Sequence, residues 1–252
     1  MIKMAFGYCN VSISPLRKEN DDTSEMISQL LFGEACEIIE EKENWSFVKC
    51  LHDNYEAWID TKHLTHTSSI IESSNTSFEI VHNYVIKDLH VPIVMGSNLP
   101  HFDGLNFKIE KVKYLFQGLS LENSLNNISK IQKIALKYLH TPYLWGGRSP
   151  FGIDCSGLTQ IVYKFLDYAL PRDAYQQAEL GSVIGFIEES RIGDLAFFGT
   201  DEKINHVGII ISKNEIIHAS GKVKIDRIDH LGIYSKEFGK YTHKLRVIKR
   251  IV

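Results

Sequence analysis

The 252-residue chain predicts an α+β fold, a helix-and-strand domain preceded by two small β modules. Three observations predict it. Residues 1–66 alternate apolar and polar side chains between closely spaced turns, the period-2 signature of strands. From Leu121 the apolar spacing becomes helical. Beyond residue 194 alternation returns, and helices followed by antiparallel strands mark α+β architecture.

Composition is that of an ordinary globular protein, with 44% hydrophobic and 23% charged residues. This excludes wholesale disorder and long coiled coils. The net charge of −3 gives no basis for nucleic-acid binding, and apolar runs such as 207–211 are too short to span a bilayer. Residues 1–66 carry a net charge of −6 and the remainder +3, as expected for units with different surfaces. The N-terminus lacks the apolar core of a signal peptide. With Met1 as the native start, a cytoplasmic protein is expected. None of the four cysteines forms a C-x-x-C pair, so reduced thiols are expected rather than a zinc knuckle or a disulfide scaffold.

In the first module, 1–66, Gln29-Leu30-Leu31-Phe32 reads as a strand ending at Gly33-Glu34. Residues 35–41 alternate, 45–50 form the next strand, and His52-Asp53-Asn54 turns into Tyr55-Glu56-Ala57-Trp58-Ile59. Cys9, Cys36 and Cys50 fall on or beside these strands and read as small core hydrophobes. Residues 67–77 are Ser/Thr-rich, which is linker chemistry. A second module is expected over 78–120, with strands at 91–95 and 107–116.

The mixed domain is expected over 121–252. Leu125, Ile128, Ile131, Ile134, Ala135 and Tyr138 follow helical spacing, with Asn123 or Ser124 as candidate cap and Thr141-Pro142 as terminator. A Gly/Pro-rich loop, 143–152, leads to Asp154-Cys155, which opens a second helix with a stripe of Leu158, Ile161, Val162 and Phe165. A short helix over 175–180 and strands at 195–198, 206–211, 215–218 and 244–251 complete the reading.

Cys155 sits at a helix start, where free N–H groups and the helix dipole favour a thiolate. That placement suits a nucleophile, though a buried structural cysteine would look the same. His206 opens one strand and His218 ends the next. If the two pair as a hairpin, both imidazoles lie on one sheet edge. One would take the thiol proton and the other would fix its tautomer. With eleven histidines in the chain, two unrelated ones would be unremarkable. A metal site is a further alternative, but no ligand pair has chelating spacing.

Thr141-Pro142-Tyr143-Leu144-Trp145-Gly146-Gly147 followed by Asp154-Cys155-Ser156-Gly157-Leu158 resembles the catalytic loop and helix of the NlpC-type cysteine peptidases, papain-like enzymes that cut bacterial cell-wall peptides. Pro171-Arg172-Asp173, Gly193-Asp194-Leu195-Ala196-Phe197-Phe198, Asn205-His206-Val207-Gly208-Ile209 and Ile217-His218-Ala219-Ser220 follow in the family's order. The front of the chain is similar to the bacterial SH3-like barrels that precede this domain; residues 78–120 are the weaker match. The resemblance implies Cys155 as nucleophile, His206 as base and His218 as its orienter. It implies cleavage between γ-D-glutamate and a diamino acid in murein tripeptides or tetrapeptides with a free N-terminal L-alanine. A cell-wall remodelling hydrolase that binds intact murein through its SH3-like modules is the alternative. Tyr143 is the candidate second oxyanion donor beside the Cys155 N–H. Asp154 is a candidate for the substrate amine as well as a helix cap. Ser156 and Asp173 match positions lining the substrate site, and Trp145 reads as a pocket wall or as core. Glu34 and Tyr55 are the candidates from the first module, with Glu34 otherwise a solvated turn residue. Ala174 departs from relatives that carry a hydroxyl there. Arg148 and Arg172 would meet a substrate carboxylate or anchor a loop. No cofactor, nucleic-acid or membrane partner is implied, and a monomer is expected.

Overall fold

The computed structural model describes residues 5–70 and 73–252. Residues 71 and 72, inside the stretch read as a linker, lie outside the described residues, as does Met1, on which the expectation of a cytoplasmic protein rests. The chain folds as two compact units. One holds the residues up to Ser124 together with Trp145–Pro150, and the other holds Leu125–Leu144 with Phe151–Val252.

In the first unit, seven described strands form one antiparallel sheet, in the order Met26–Leu31, Ile13–Arg17, Glu56–Asp60, Trp45–Cys50, Ala35–Lys42, Ala5–Cys9 and Leu64–Thr67. The strands expected at 29–32, 35–41, 45–50 and 55–59 are all present. Alternation sends every second side chain inward, so Ser46, Val48 and Cys50 are buried while Trp45, Phe47 and Lys49 are partly exposed. Cys9, Leu16, Leu30, Cys36, Val48, Ala57 and Ile59 form the core. The three cysteines are therefore packing residues, and all are free thiols.

Four further strands pair in the order Leu89–Val94, Val81–Ile86, Val112–Phe116 and Asn106–Ile109. The run 107–116, read as one strand, is a hairpin whose turn places Glu110 at φ 54°. Its Phe107 and Tyr114 rings stack 4.9 Å apart across the two strands. Tyr8 and Phe32 from the front of the chain share a core with Tyr84, Ile93, Phe107 and Phe116. The linker reading of 67–77 gives way in part, because Leu64–Thr67 pairs with Ala5–Cys9 and Asn75–Ser77 pairs with Ser120–Glu122.

In the second unit, the first helical stretch divides into a 3-10 segment, Leu125–Lys130, and a short α-helix, Ile131–Leu136. Side chains three apart eclipse in a 3-10 turn, so Leu125 and Ile128 share a face and are both exposed, whereas Ile131, Ile134, Ala135 and Tyr138 are buried. Neither Asn123 nor Ser124 caps the α-helix, whose N-cap, Lys130, makes no side-chain capping bond. The second helix is Cys155–Lys164, and its stripe of Leu158, Ile161, Val162 and Phe165 is buried as expected. The third is Ala174–Gln177, closed by a capping box in which the Asp173 N–H donates to Gln176.

Six antiparallel strands close into a barrel. Leu195–Gly199, Ile204–Ser212, Glu215–Ser220, Lys222–Asp229, Gly232–Ser235 and Lys240–Arg250 each pair with the next, and the last returns to the first. Ser182–Ile184 adds to the outer side of Lys240–Arg250. The strands Ser182–Ile184, Lys222–Asp229 and Gly232–Ser235 go beyond the sequence reading. Ala196, Phe198, Ile210, Ile216, Ile228, Ile233 and Ile248 make the barrel core.

Candidate active site

Asp154 is the N-cap of the Cys155–Lys164 helix, in extended conformation, and its Oδ1 accepts the Gly157 N–H at 2.7 Å. Such a cap contributes about 0.5–2 kcal/mol. It fixes Cys155 as the first helical residue. The Val207 backbone hydrogen-bonds to the Cys155 sulfur, which sets the nucleophile against the Ile204–Ser212 strand at the residue following His206.

The expected thiolate is not the resting form. Burial, followed by the charge of Asp154, pushes the Cys155 thiol up to about 12, while backbone hydrogen bonds at Val207 and Ser156 and the charge of Arg172 oppose the shift. The helix start is as expected, but desolvation outweighs it. Attack by this sulfur therefore requires a base that removes the proton as the bond forms.

The candidate base, His206, stands on one of two adjacent strands, with His218 on the other. Ile209 pairs with Ile217 and Ile210 with Ile216, so Gly208 lies level with His218 and His206 two positions further along. A side chain at Gly208 would meet His218 Cβ at 2.9 Å and Ile216 Cδ1 at 2.7 Å, so glycine is what lets His218 cross. His206 Nε2 and His218 Nδ1 are 2.8 Å apart. This bond engages Nε2 of His206 and leaves its Nδ1 outside the pair. His206 is held on its face by His243, stacked at 4.2 Å, and packs at a tilt against Phe198 at 5.9 Å. Burial, with the charges of His218, His243 and Lys224, holds His206 well below the usual histidine range. It rests neutral, as a base must.

Two groups missed in the sequence complete the set. Asp226 Oδ2 lies 3.2 Å from His218 Nε2 and 3.3 Å from Lys224 Nζ. Burial raises the Asp226 carboxyl, but the His218 hydrogen bond and Lys224 outweigh it, and the net shift is downward. A signal was available in Lys-Val-Lys-Ile-Asp-Arg-Ile-Asp, 222–229, where the apolar alternation slips between Ile225 and Ile228 and turns Asp226 inward. His243 lies one residue before the strand expected at 244–251. The ligating atoms of His206, His218 and His243 lie within 4.8 Å of one another, but a metal there would have to break the His206–His218 bond.

Around the nucleophile, Arg172 forms a buried ion pair with both oxygens of Asp154 and donates to Ser156 Oγ at 2.8 Å. Of the two roles open to Arg172, the structure displays the anchor. Asp154 and Ser156 are both buried. Asp173 is the cap of its short helix. Burial, then the neighbouring Cys155 and Asp154, pushes the Tyr143 phenol up to about 12, so it keeps the proton that an oxyanion donor needs.

The remaining candidates lie in the first unit. Glu34 is not a solvated turn residue. It is 1% exposed, its carboxylate holds Arg148 through both oxygens at 2.8 and 3.0 Å, and it accepts the Leu31 N–H at 2.8 Å. Arg148 likewise anchors its loop, donating also to the Gln29 carbonyl at 2.7 Å. Trp145 is not core. It is 62% exposed and donates its indole N–H to Glu25 at 2.8 Å. The next residue, Gly146, has φ +76°, and a Cβ there would sit 2.5 Å from the Met26 carbonyl oxygen. Tyr55 is partly buried at the start of the Glu56–Asp60 strand, its N–H donating to Asp53.

Residues 140–245 match the NlpC/P60 family and residues 16–64 the bacterial dipeptidyl-peptidase SH3 domain. Gamma-D-glutamyl-L-lysine dipeptidyl-peptidase of Bacillus subtilis is 39% identical over 105 residues, a match that covers 40% of this chain and 35% of that protein. The chain thus spans about a third of that relative. Dipeptidyl-peptidase 6 of Lysinibacillus sphaericus is 26% identical over 251 residues, covering 85% of this chain and 88% of the relative. A crystal structure of an NlpC/P60 family protein from Bacillus cereus superposes with a TM-score of 0.78 at 18% identity, covering 98% of this chain and 99% of that one, which establishes the shared fold. Residues 140–245 thus form an NlpC/P60 domain, and residues 16–64 a bacterial dipeptidyl-peptidase SH3 domain.

Proposed function

We propose that the protein is a cysteine peptidase of cell-wall peptides that cleaves the bond between γ-D-glutamate and a diamino acid, lysine or diaminopimelate, in peptides with a free N-terminal L-alanine. The observation that carries the reading is the His206–His218 hydrogen bond beside a helix-opening cysteine. The substrate class is supported by the relatives named dipeptidyl-peptidase and by the matching SH3 domain. A dipeptidyl-peptidase counts two residues from an unblocked end. That requirement fits peptides already released from the wall, and hence recycling in the cytoplasm. Asp154, already carrying Arg172, is the carboxylate proposed for the substrate ammonium, and Glu34 stays the acidic candidate that the resemblance draws from the first unit. Ser156, Asp173, Trp145 and Tyr55 are the further substrate contacts proposed from the resemblance.

In the proposed reaction the Cys155 sulfur attacks the γ-carbonyl carbon as its proton passes to His206 Nδ1. The oxyanion is stabilised by the Cys155 N–H and the Tyr143 hydroxyl. The C–N bond then breaks, and His206 returns the proton to the leaving amine. Water, deprotonated by the same imidazole, releases L-alanyl-D-glutamate from the thioester.

The test is mass spectrometry after incubation with L-alanyl-γ-D-glutamyl-diaminopimelate, its lysine counterpart and their N-acetylated analogues. Free diamino acid from the unblocked peptides alone is the expected result. Equal cleavage of blocked and unblocked peptides contradicts the free-amine requirement, and no cleavage of either contradicts the substrate class.

A further inference from the structure

The relay behind Cys155 does not stop at His218. His218 Nε2 faces Asp226 Oδ2 at 3.2 Å, and Asp226 is itself paired with Lys224. Each link constrains the next. A carboxylate oxygen only accepts hydrogen bonds, so His218 Nε2 must carry a proton. A neutral imidazole has one N–H, so His218 Nδ1 is bare and must accept. The 2.8 Å contact to His206 Nε2 is then satisfied only if His206 carries its proton there. Nδ1 of His206 is left as a lone pair, the form that takes a thiol proton. The opposite order, with His218 protonated on Nδ1, would leave Nε2 and a carboxylate as two acceptors face to face. It would also force the His206 proton onto Nδ1, where it blocks the base.

We propose that Asp226 is a positioning residue of the peptidase centre, setting the tautomers of His218 and His206 so that His206 Nδ1 is the base. This rests on the reading of Cys155 and His206 as nucleophile and base, and it adds a carboxylate where the resemblance supplies only a neutral orienter. When Cys155 gives its proton to His206 Nδ1, the imidazolium formed keeps Nε2–H directed at His218, whose own Nε2–H points to the Asp226 charge. The positive charge is thus compensated through one intervening ring. Asp226 lies on the Lys222–Asp229 strand. Its pairing partner there is Ile216, and Lys224 pairs with His218, so the carboxylate reaches His218 along the diagonal of the sheet. The titratable and charged groups around this relay are Lys224 on the same strand as Asp226, His218 on the neighbouring strand, His206 on the strand beyond it, and His243 from Lys240–Arg250.

The test reads tautomers without any substrate, so the peptide specificity proposed above can fail while this stands, and the reverse. In ¹⁵N-histidine-labelled protein, long-range proton–nitrogen correlation distinguishes protonated from bare ring nitrogens. The expected pattern is Nε2–H on both His206 and His218. Asp226→Asn is expected to mix or invert the His218 pattern and to slow alkylation of Cys155 by iodoacetamide about 10- to 100-fold, less than the 10²–10⁴ of a whole general base. A merely structural Asp226 would leave the tautomers unchanged in any folded variant. Nδ1–H on either histidine of the unmodified protein overturns the proposal, as do unaltered tautomers and alkylation rates in Asp226→Asn. The unmodified protein alone decides the first point should the variant not fold.

Discussion

The chain buries cysteines in both of its units, and burial alone does not tell them apart. In the first unit, Cys36 sits in a sheet core where desolvation pushes its thiol up to about 12. Cys155 in the second unit is pushed to the same value by the same dominant cause. The difference is in what stands beside the sulfur. Cys36 donates to the Gly7 carbonyl and packs among Leu, Val and Ile. Cys155 opens a helix and lies against the strand that carries His206, itself bonded to His218. Cys155 also keeps 7% of its surface in solvent, against 0% for Cys9 and Cys36. The reactivity proposed for Cys155 therefore rests on its partner and its access, since both thiols are shifted upward alike.

Buried charge makes a parallel comparison. The Glu34–Arg148 pair and the Asp154–Arg172 pair are both nearly inaccessible to solvent. The first ties a loop to Glu34 and to the Gln29 carbonyl of its own unit. The second braces the residue before the nucleophile and reaches Ser156, one residue beyond it. Similar chemistry therefore serves packing in one place and the geometry of a reacting centre in the other.

The largest expected effect belongs to the nucleophile. Cys155→Ala should reduce peptide turnover by at least about 10⁴-fold, because residues acting as a unit fail together, with the melting temperature little changed. Turnover persisting above that level would move the nucleophile elsewhere. In the first unit, Glu34→Gln leaves Arg148 buried without its counter-charge. It should cost about 3–5 kcal/mol in denaturant unfolding; a loss under about 1 kcal/mol would mean that the pair is solvated in solution. His218→Asn should keep activity within about tenfold, since an amide oxygen also accepts the His206 Nε2–H. A loss equal to that of Cys155→Ala would refute the orienting role. The mildest substitution is Cys36→Ala, which removes a packing group and should lower stability by about 1 kcal/mol while leaving kcat unchanged.

Protonation sharpens the same contrast. Burial, then the charges of His218 and Lys224, lowers His243 from 6.5 to about 4, and His206 and His218 shift in the same direction. The unfolded chain binds protons that the folded one refuses, so stability falls as pH drops from 6.5 toward 4. The buried thiols work in the opposite sense. The folded chain retains protons that the unfolded one releases, so stability also falls as pH rises from 9 toward 12. Thermal melts across pH should show a plateau between these flanks, and the acid limb of kcat/KM should lie below 6.5. An acid limb above neutrality would mean that His206 rests charged.

Much of this was legible in the sequence for local reasons. A cap, a cysteine and a helical stripe are contiguous, so the Cys155–Lys164 helix reads directly. The tight turn between His206 and His218 carries their pairing. Asp226 is harder to find, because it enters on a strand whose alternation is irregular and it meets His218 diagonally. Arg148 and Glu34 are 114 positions apart, and nothing local announces that pair. The exposure of Leu125 and Ile128 was hidden because a 3-10 turn and an α-helix share the same short apolar spacing. Trp145 was hidden for another reason, since an indole serves as well on a surface as in a core when its N–H finds a carboxylate.

The central claim is that one buried cysteine among several is activated by the histidine relay. Brief alkylation of the native protein with iodoacetamide at neutral pH, followed by peptide mapping, tests it most directly. Labelling confined to Cys155, and suppressed in His206→Ala, is the predicted result. Comparable labelling of Cys9, Cys36 or Cys50, or a Cys155 rate indifferent to His206, would contradict it.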